Sequence, residues 1–244
     1  MVIEAGLERY EKVNALIKEE LEKKNRIVVK NVNGQRYIGC ALEKGKTIEI
    51  YGTPGNDMAC YLDGGKIEVF GNCQDAVGNT MNGGEIIVHG HSGDAMGYGM
   101  RDGQIFIRDN VACRGGIHMK EFEHMKPVLV IGQNAGSFLG EYMAGGTIVL
   151  LGLGLKREEK LFGTHCASGM HGGKIIVRGS FPKVNLSSNL KIEELTAEDK
   201  KELEALVKKY CRCFKADYNE IMKKPFKKLV PATSRPYANL YTAN

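Results

Sequence analysis

Several short segments of this sequence are similar to phosphate-binding, dinucleotide-binding or serine-nucleophile motifs of other proteins. Each departs from the spacing that its chemistry requires. Gly45–Lys46–Thr47 has the residues that end a phosphate-binding loop, yet Cys40 stands where that loop needs a glycine. Gly152–Leu153–Gly154 lacks the third glycine of a dinucleotide-binding turn. The serines near glycines fail the G-x-S-x-G pattern of a nucleophile elbow: Ser92, Ser137 and Ser168. We predict neither a nucleotide site nor an esterase nucleophile.

Histidine and cysteine pairs are the remaining candidates for chemistry. His89 and His91 are two residues apart and would share one side of a strand, with Asp109 of the next repeat as a third metal ligand. We favour the alternative that they are polar members of a solvated surface. Cys211 and Cys213 on a predicted helix point in different directions and make a poor chelate compared with C-x-x-C. We therefore predict no catalytic, cofactor-binding or metal-binding residues in this chain.

Composition narrows the class of protein. Glycine occurs 31 times among 244 residues, far above the usual share of about 7%.

No apolar run approaches the roughly 20 residues that span a bilayer, and the charged N-terminus does not match a signal peptide. The seven cysteines lie scattered among apolar or glycine-rich segments. We expect a cytoplasmic protein with reduced, mostly buried thiols.

Positive charge is concentrated near the C-terminus. Residues 181–244 carry 13 basic and 8 acidic side chains, a difference equal to the net charge of +5. Nucleic-acid-binding proteins usually add aromatic stacking groups or a denser basic stripe. Because neither is visible, we interpret the excess as a solvated helix face and expect no nucleic-acid and no membrane partner.

A repeat of about 20 residues fills the middle of the chain and decides the fold class. Aliphatic residues follow each anchor at two and four positions, as Ile67 and Val69 follow Gly65. The anchors are Lys46, Gly65, Gly84, Gly103, Lys126, Gly146 and Gly173. This alternation predicts short strands that bury one face only when copies stack. We predict an all-β fold: a right-handed, single-stranded parallel β-helix, a solenoid of about seven coils with flanking α-helices.

Glycines bracket the predicted strands and allow the chain to turn sharply, including at positive φ. We predict as structural glycines Gly52, Gly65, Gly71, Gly84, Gly90, Gly103, Gly132, Gly146, Gly152, Gly173 and Gly179. A second pattern, Asp-Ala-x-Gly, follows the strands, as in Asp75–Gly78 and Asp94–Gly97. Its small residues suit a narrow interior.

Helices are predicted on both sides of the repeats. Apolar residues in the first segment recur at steps of three and four, and Glu–Lys pairs four apart support an amphipathic helix. Thr196 with Asp199 is typical of a helix N-cap. We divide the chain into an N-terminal amphipathic helix (1–24), β-helix repeats (25–180), and a C-terminal helix and tail (181–244) that packs on or beyond the solenoid. In detail, Phe181–Pro182 closes the last coil, residues 156–160 form an exposed loop tip, and the tail from Pro225 is irregular.

The middle residue of each strand, three after the anchor, should point away from the interior. Along the solenoid it is Glu49, Glu68, Ile87, Phe106, Leu129, Val149 and Ile176. A continuous apolar stripe usually marks a contact surface. We therefore predict a possible interface at Ile87, Phe106, Leu129, Val149 and Ile176, covered partly by the chain's own helices and partly by a partner.

The repeated Gly-Gly-x-Ile-x-Val-x-Gly, followed by Asp-Ala-x-Gly, resembles the GXGXG domain that closes the large (α) subunit of glutamate synthase. The same repeat domain is seen in one of the subunits of formylmethanofuran dehydrogenase. Gly64–Gly71 and Gly83–Gly90 carry the resemblance best, and it covers about residues 40–180. The helix after Glu193 and the segment Pro225–Val230 are similar to the end of glutamate synthase, so we favour that family, in its split form with the domain as a separate chain.

The resemblance implies a role without catalysis. In glutamate synthase the β-helix is a scaffold between an amidotransferase domain, which releases ammonia from glutamine, and a synthase domain that holds FMN and an iron–sulfur cluster. The resemblance therefore implies amidotransferase and FMN/iron–sulfur synthase partners, with no cofactor in this chain. This chain would then be part of an oxidoreductase without contributing catalytic residues.

Two alternatives stay open. The first is an accessory subunit of a formylmethanofuran dehydrogenase-like complex, which co-purification with a molybdenum or tungsten protein would favour. The second is a stand-alone β-helix enzyme that acts on polysaccharide, although the outward positions hold few of the Asp or Arg residues that such enzymes present.

Overall fold

The structure, a computed structural model, describes residues 2–156, 158–179, 181, 186 and 189–233. Its strands are β1 (Val2–Glu4), β2 (Arg26–Asn33), β3 (Thr47–Thr53), β4 (Asp63–Phe70), β5 (Asn82–Val88), β6 (Asp102–Ile107), β7 (Val128–Ile131), β8 (Ala144–Leu150), β9 (Gly172–Arg178), β10 (Leu190–Glu193) and β11 (Phe226–Pro231). The helices are α1 (Tyr10–Lys23), α2 (Ala197–Phe214) and α3 (Tyr218–Met222). None of these described helices is both long and apolar enough to cross a membrane. Predictions for Arg157, Pro182 and residues 234–244 fall outside the described residues.

Strands β1 to β9 run parallel and stack in chain order, which confirms the predicted parallel β-helix. One row of partners runs through Ile48, Ile67, Ile86, Ile105, Leu129, Ile148 and Ile175. A second ladder of single bridges joins Cys73, Ser92, Val111, Ala135 and Phe162. Strands β3 to β9 enclose about six turns, slightly fewer than the number of coils predicted.

Strand β7 has a different register from the one predicted. Leu129 pairs with Ile105 and points into the solenoid, whereas Val130 faces outward. The anchor of this coil is therefore Pro127 rather than Lys126. All four residues of β7 are apolar, so alternation gives no information about which side faces inward. A shift of one residue turns every side chain to the opposite face.

The interior of the solenoid is one continuous apolar cluster. Ile86 and Val88 are fully buried, and so are Ile67 and Ile105 in the neighbouring coils. Flexible methionines fill the other side of the interior: Met58, Met81, Met96, Met100, Met119, Met143 and Met170. The positions that repeat in the sequence therefore build the core.

The structural glycines serve two geometric needs. Gly84 represents the first, with φ of +94°, and positive φ also occurs at Gly52, Gly103, Gly146, Gly152, Gly173 and Gly179. Gly71 represents the second, because a Cβ there would lie 2.1 Å from the Gly52 carbonyl oxygen of the preceding coil. Added Cβ atoms at Gly65, Gly90 and Gly132 would also meet neighbouring atoms within 3 Å. Close stacking of the coils thus requires glycine even where φ is ordinary.

The N-terminal segment differs from the predicted helix over residues 1–24. Its first residues form β1, in which Ile3 is buried and pairs with Val29 in parallel. Gly6 then turns the chain with φ of +52°, and the helix begins only at Tyr10. Strand pairing satisfies the backbone of the first residues, which a frayed helix end would leave unpaired.

The C-terminal segment combines an expected helix with unexpected strands. Thr196 and Asp199 form a complete capping box at the start of α2, as predicted. Strand β11, however, lies in the tail that we predicted to be irregular, and it pairs antiparallel with β9 and β10. The sheet thus changes direction at its C-terminal end, where β11 and β10 follow the last parallel strand.

Candidate functional site

Lys46, the lysine of the segment similar to a phosphate loop, has partners in α1. Its Nζ donates to the carbonyl oxygen of Leu21 at 2.5 Å and to Asn25 Oδ1 at 3.0 Å. Leu21 lies in the last turn of α1, where carbonyl groups have no partner within the helix. These contacts tie the end of α1 to β3 and give this lysine a structural role.

The geometry gives no support to a metal site at His89 and His91. His89 Nε2 lies 2.9 Å from Glu68 Oε1, and its ring stacks on Phe70 with centroids 4.7 Å apart. Asp109 pairs with the neighbouring arginine instead. Within the part of the chain that the structure describes, no three His, Cys, Asp or Glu side chains are placed to hold a metal ion.

All seven cysteines are free thiols, but fewer are buried than expected. Cys60, Cys73 and Cys166 are buried, Cys40 is exposed, and the others are half-buried: Cys113, Cys211 and Cys213. Burial raises the pKa of the thiols of Cys211 and Cys213. Cys211 packs beside the apolar cluster under α2, whereas Cys213 is near the charges of Glu85 and Lys66. The two thiols thus have different surroundings.

The structure corrects the predicted interface stripe. Ile87 is 2% exposed, and Phe106, Val149 and Ile176 are fully buried. Phe106, Val149 and Ile176 form one cluster with residues of α2: Leu203, Leu206, Val207 and Tyr210. Leu129 belongs to the interior, and Val130 takes its place in the stripe. Helix α2 thus covers Phe106, Val130, Val149 and Ile176, as we predicted for part of the stripe, and none of these described positions is open to a partner.

Buried charges hold the start of α2 on the sheet. Asp199 is 5% exposed and accepts hydrogen bonds from Lys174 at 2.7 Å and Lys228 at 2.8 Å. Burial by itself would raise the pKa of the Asp199 carboxyl, but these lysines and the cap at Thr196 hold that pKa well below its ordinary value. Three elements, β9, α2 and β11, thus meet at one carboxylate.

The other end of α2 contacts the middle coils. Lys209 Nζ donates to Gln104 Oε1 at 2.7 Å and pairs with Glu85, and the Tyr210 hydroxyl donates to the Arg108 carbonyl at 2.9 Å. The outward face of β3 and β4 beyond this point holds ion pairs, such as Lys66 with Glu85 at 3.1 Å. That half of the sheet is a charged surface, with Tyr51 and Phe70 stacked at 4.7 Å along one side of it.

The most unusual surface is the turn face, which we define as residues 37–41, 57–61, 76–80, 95–99, 114–118, 138–142 and 165–169. Non-glycine residues recur there with φ between 51° at Tyr142 and 65° at Phe138. Their N–H groups bond to the next coil, as His118 N does to Glu141 O at 2.9 Å. Positive φ is uncommon outside glycine, and strained backbone often accompanies function.

An aromatic and cationic cluster lies on the turn face, and we call it the turn-face cluster. Its members are Tyr98, Arg114, His118, Phe138, Tyr142 and His165. Tyr98 and Tyr142 are 42% and 39% exposed. Glu141 Oε2 lies 4.0 Å from Arg114 Nε, and Glu141 precedes Tyr142 in the chain, so it lies between these two members of the cluster. Aromatic residues and arginine are enriched at the centres of protein interfaces, which makes this cluster the best candidate site on the described surface.

The rings of the cluster stack on one another. His118 and Tyr142 are nearly parallel with centroids 5.3 Å apart, as are Phe138 and His165 at 4.9 Å. Arg114 lies 5.1 Å from the Phe138 centroid. Each stacked pair uses one face of each ring, and edges and polar groups remain to bind a partner. The polar edges of this arrangement suit hydrogen bonds to a protein surface.

Our sequence reasoning did not single out this cluster. The signal was present, because these side chains follow or interrupt the Asp-Ala-x-Gly pattern at nearly the same phase in successive repeats. These repeat positions can be assigned to one surface only when the stacking of the coils is known.

Comparison with known proteins agrees with this architecture. The family model described as "GXGXG motif" matches residues 3–234. An uncharacterized protein of Methanocaldococcus jannaschii, MJ1350, is 42% identical over an alignment 251 positions long, which covers 99% of this chain and 96% of the relative. The match includes the N-terminal segment and α2 as well as the repeats, and the chain belongs to the GXGXG motif family.

Proposed function

We propose that this chain is a non-catalytic structural part of a glutamate synthase complex, where it joins the amidotransferase and the FMN-binding synthase. Such a complex converts glutamine, 2-oxoglutarate and a reductant into two molecules of glutamate. The observation that carries the proposal is the GXGXG match over nearly the whole chain, because this repeat is the part of glutamate synthase that the sequence resembles.

The turn-face cluster is the surface through which we propose that partners bind. The apolar stripe is occupied by α2, and the open half of the sheet holds ion pairs beside the stacked Tyr51 and Phe70. The cluster instead offers exposed phenol groups, imidazoles and one guanidinium, which hydrogen-bond to acceptors on a protein surface. FMN and the iron–sulfur cluster belong, in this proposal, to the synthase partner.

Binding to purified partners tests the proposal. The amidotransferase and the FMN/iron–sulfur synthase encoded in the same genome are each titrated with this chain, and affinity is measured by isothermal titration calorimetry. A triple variant, Tyr98→Ser, His118→Asn and Tyr142→Asn, should weaken binding to at least one of them by about tenfold or more. Asparagine tolerates the left-handed backbone at the last two positions, which protects the fold.

Lys201→Ala is the matched control, because Lys201 is exposed on α2 away from the turn face. It should leave both affinities unchanged. If neither partner binds the natural chain, the proposal fails. Binding to a molybdenum or tungsten protein of the formylmethanofuran dehydrogenase type instead would favour the alternative complex.

A further inference from the structure

Cys40 and Cys60 occupy equivalent positions in consecutive coils. The N–H of Ala41 donates to the Cys60 carbonyl at 2.9 Å, which fixes the register between the two turns. Hydrogen-bonded neighbouring strands lie about 4.8 Å apart, and disulfides join Cα atoms about 4.4–6.8 Å apart. Because the two positions are equivalent, their side chains leave the turn in the same direction, and the Cys40 thiol acts on the pKa of the Cys60 thiol. The coils therefore place two sulfur atoms together in the reduced protein.

Access to the two thiols is unequal. Cys40 is exposed, whereas Cys60 is 5% exposed. Cys40 also lines an open groove of about 610 Å³ between α1 and the first turn, together with Ile17, Leu21 and Tyr37. A small oxidant from solvent thus reaches Cys40 first.

The other cysteines of the described chain have different neighbours. Cys73 forms a backbone β-bridge with Ser92, and Cys166 is buried in the apolar interior. Cys113 lies at the turn position held by Asp94 in the preceding coil and Ser137 in the following one. Of the two thiols of α2, Cys211 packs beside the apolar cluster and Cys213 is near the charges of Glu85 and Lys66. Cys40 and Cys60 thus lie at equivalent positions of adjacent coils, and an oxidant can link them selectively.

We propose that Cys40 and Cys60 are a redox-active thiol pair, which a peroxide converts into a disulfide that links the first two coils. The Cys40 thiolate attacks one peroxide oxygen, the O–O bond breaks, and the departing oxygen takes a proton and leaves as water. The Cys60 sulfur then attacks the resulting Cys40 sulfenic acid, the S–O bond breaks, and the hydroxide takes the Cys60 proton. The two thiols together lose two electrons, and the peroxide gains them.

The environment of the Cys60 thiol indicates that Cys40 reacts first and Cys60 second. Burial, and then the hydrogen bond with Cys40, raise the pKa of Cys60 to about 12, so Cys60 serves as the resolving thiol. Its attack should become faster as the pH rises toward this value, because the thiolate is the nucleophile.

Peptide mapping of the full chain tests the proposal. Protein treated with hydrogen peroxide is alkylated and digested with trypsin without reduction. Cleavage after Arg36, Lys44, Lys46 and Lys66 places Cys40 in peptide 37–44 and Cys60 in peptide 47–66. The expected product is these two peptides joined, with the mass of two hydrogen atoms missing. It should be absent from Cys40→Ser and from Cys60→Ser, and present in the control Cys113→Ser.

Thiol titration of the same samples gives a second readout. The natural chain and Cys113→Ser should each lose two free thiols, and Cys60→Ser should retain a sulfenic acid at Cys40 that a dimedone probe captures. Circular dichroism confirms that each variant is folded. Oxidation of Cys40 to sulfinic acid while Cys60 stays free, or linkage of Cys40 to any other cysteine or chain, would overturn the proposal.

Discussion

Ile86 shows how single residues stabilise the solenoid. It is fully buried and stacks between Ile67 and Ile105 in the register of the sheet. Ile86→Ala should lower the free energy of unfolding by about 2–4 kcal/mol, because the removed atoms leave a cavity in a packed core. Denaturant unfolding measures this, with Lys201→Ala as an exposed control within about 0.5 kcal/mol. Equal midpoints for the two variants would contradict the inward position of Ile86.

The sequence predicts which side of a strand faces inward only where polar and apolar residues alternate. In β4, Glu68 stands between Ile67 and Val69, so the charged residue identifies the outward side. In β7 no polar residue supplies that contrast, and Leu129 was therefore assigned to the wrong side. The missing information lies in α2, which buries the outward face and removes the need for polar residues there.

Attachment of α2 should depend on the Asp199 carboxylate. Asp199→Asn removes the charge but keeps the shape, so that Lys174 retains only Glu202 and Lys228 only Glu193 as an anionic partner. At neutral pH we expect a loss of about 2–4 kcal/mol in unfolding free energy, because the buried Lys228 loses its nearest carboxylate and the half-buried Lys174 loses one of two. Thermal and denaturant unfolding measure this loss. Glu204→Gln, which disrupts an exposed pair on the same helix, should cost less than about 1 kcal/mol.

The difference in unfolding free energy between the natural chain and Asp199→Asn should depend on pH in a defined direction. The pKa of Asp199 is depressed in the folded chain, whereas an aspartate in the unfolded chain titrates near about 3.9. The stabilisation is therefore complete above about pH 5 and declines as the pH falls below the unfolded value. The gap between the natural chain and Asp199→Asn should be constant from about pH 5 to pH 8 and narrower at pH 3. An equal gap at pH 3 and pH 7 would contradict this account.

The strands that the sequence did not reveal depend on distant partners. Strand β11 contains Lys227 and Lys228, which are typical of a surface segment, yet Lys228 is 9% exposed because it pairs with Asp199. Strand β1 has three residues, too few for alternation to be distinguished from the helical spacing that follows. By contrast, the capping box of α2 is local, and it was predictable.

At the scale of the whole molecule, the isolated chain should perform none of the chemistry of glutamate synthase. We expect no flavin absorption band in the purified protein and no ammonia from glutamine, because the role that we propose for this chain is structural. Absorption spectroscopy after incubation with FMN and a coupled ammonia assay measure both. A bound yellow chromophore, or glutaminase activity lost in a single-residue variant of this chain, would contradict a purely structural role.

The repeat was sufficient to predict the architecture of the whole molecule, whereas its most distinctive surface was not predictable. Alternating aliphatic residues and glycines at a fixed period have few packing solutions other than stacked coils. The turn-face cluster combines side chains from four coils, Tyr98, Arg114 with His118, Phe138 with Tyr142, and His165. These become neighbours only through the left-handed turns and the stacking.

The central claim is that this chain joins two catalytic proteins, and sedimentation velocity tests it most directly. The amidotransferase and the FMN/iron–sulfur synthase are mixed with and without this chain, and the flavin absorbance of the synthase is followed. With the chain present, we predict a faster boundary that contains all three proteins, and with the turn-face triple variant a return toward the boundary of the separate proteins. A synthase boundary that is unchanged by the natural chain, or a full complex of the two enzymes without it, would contradict the account.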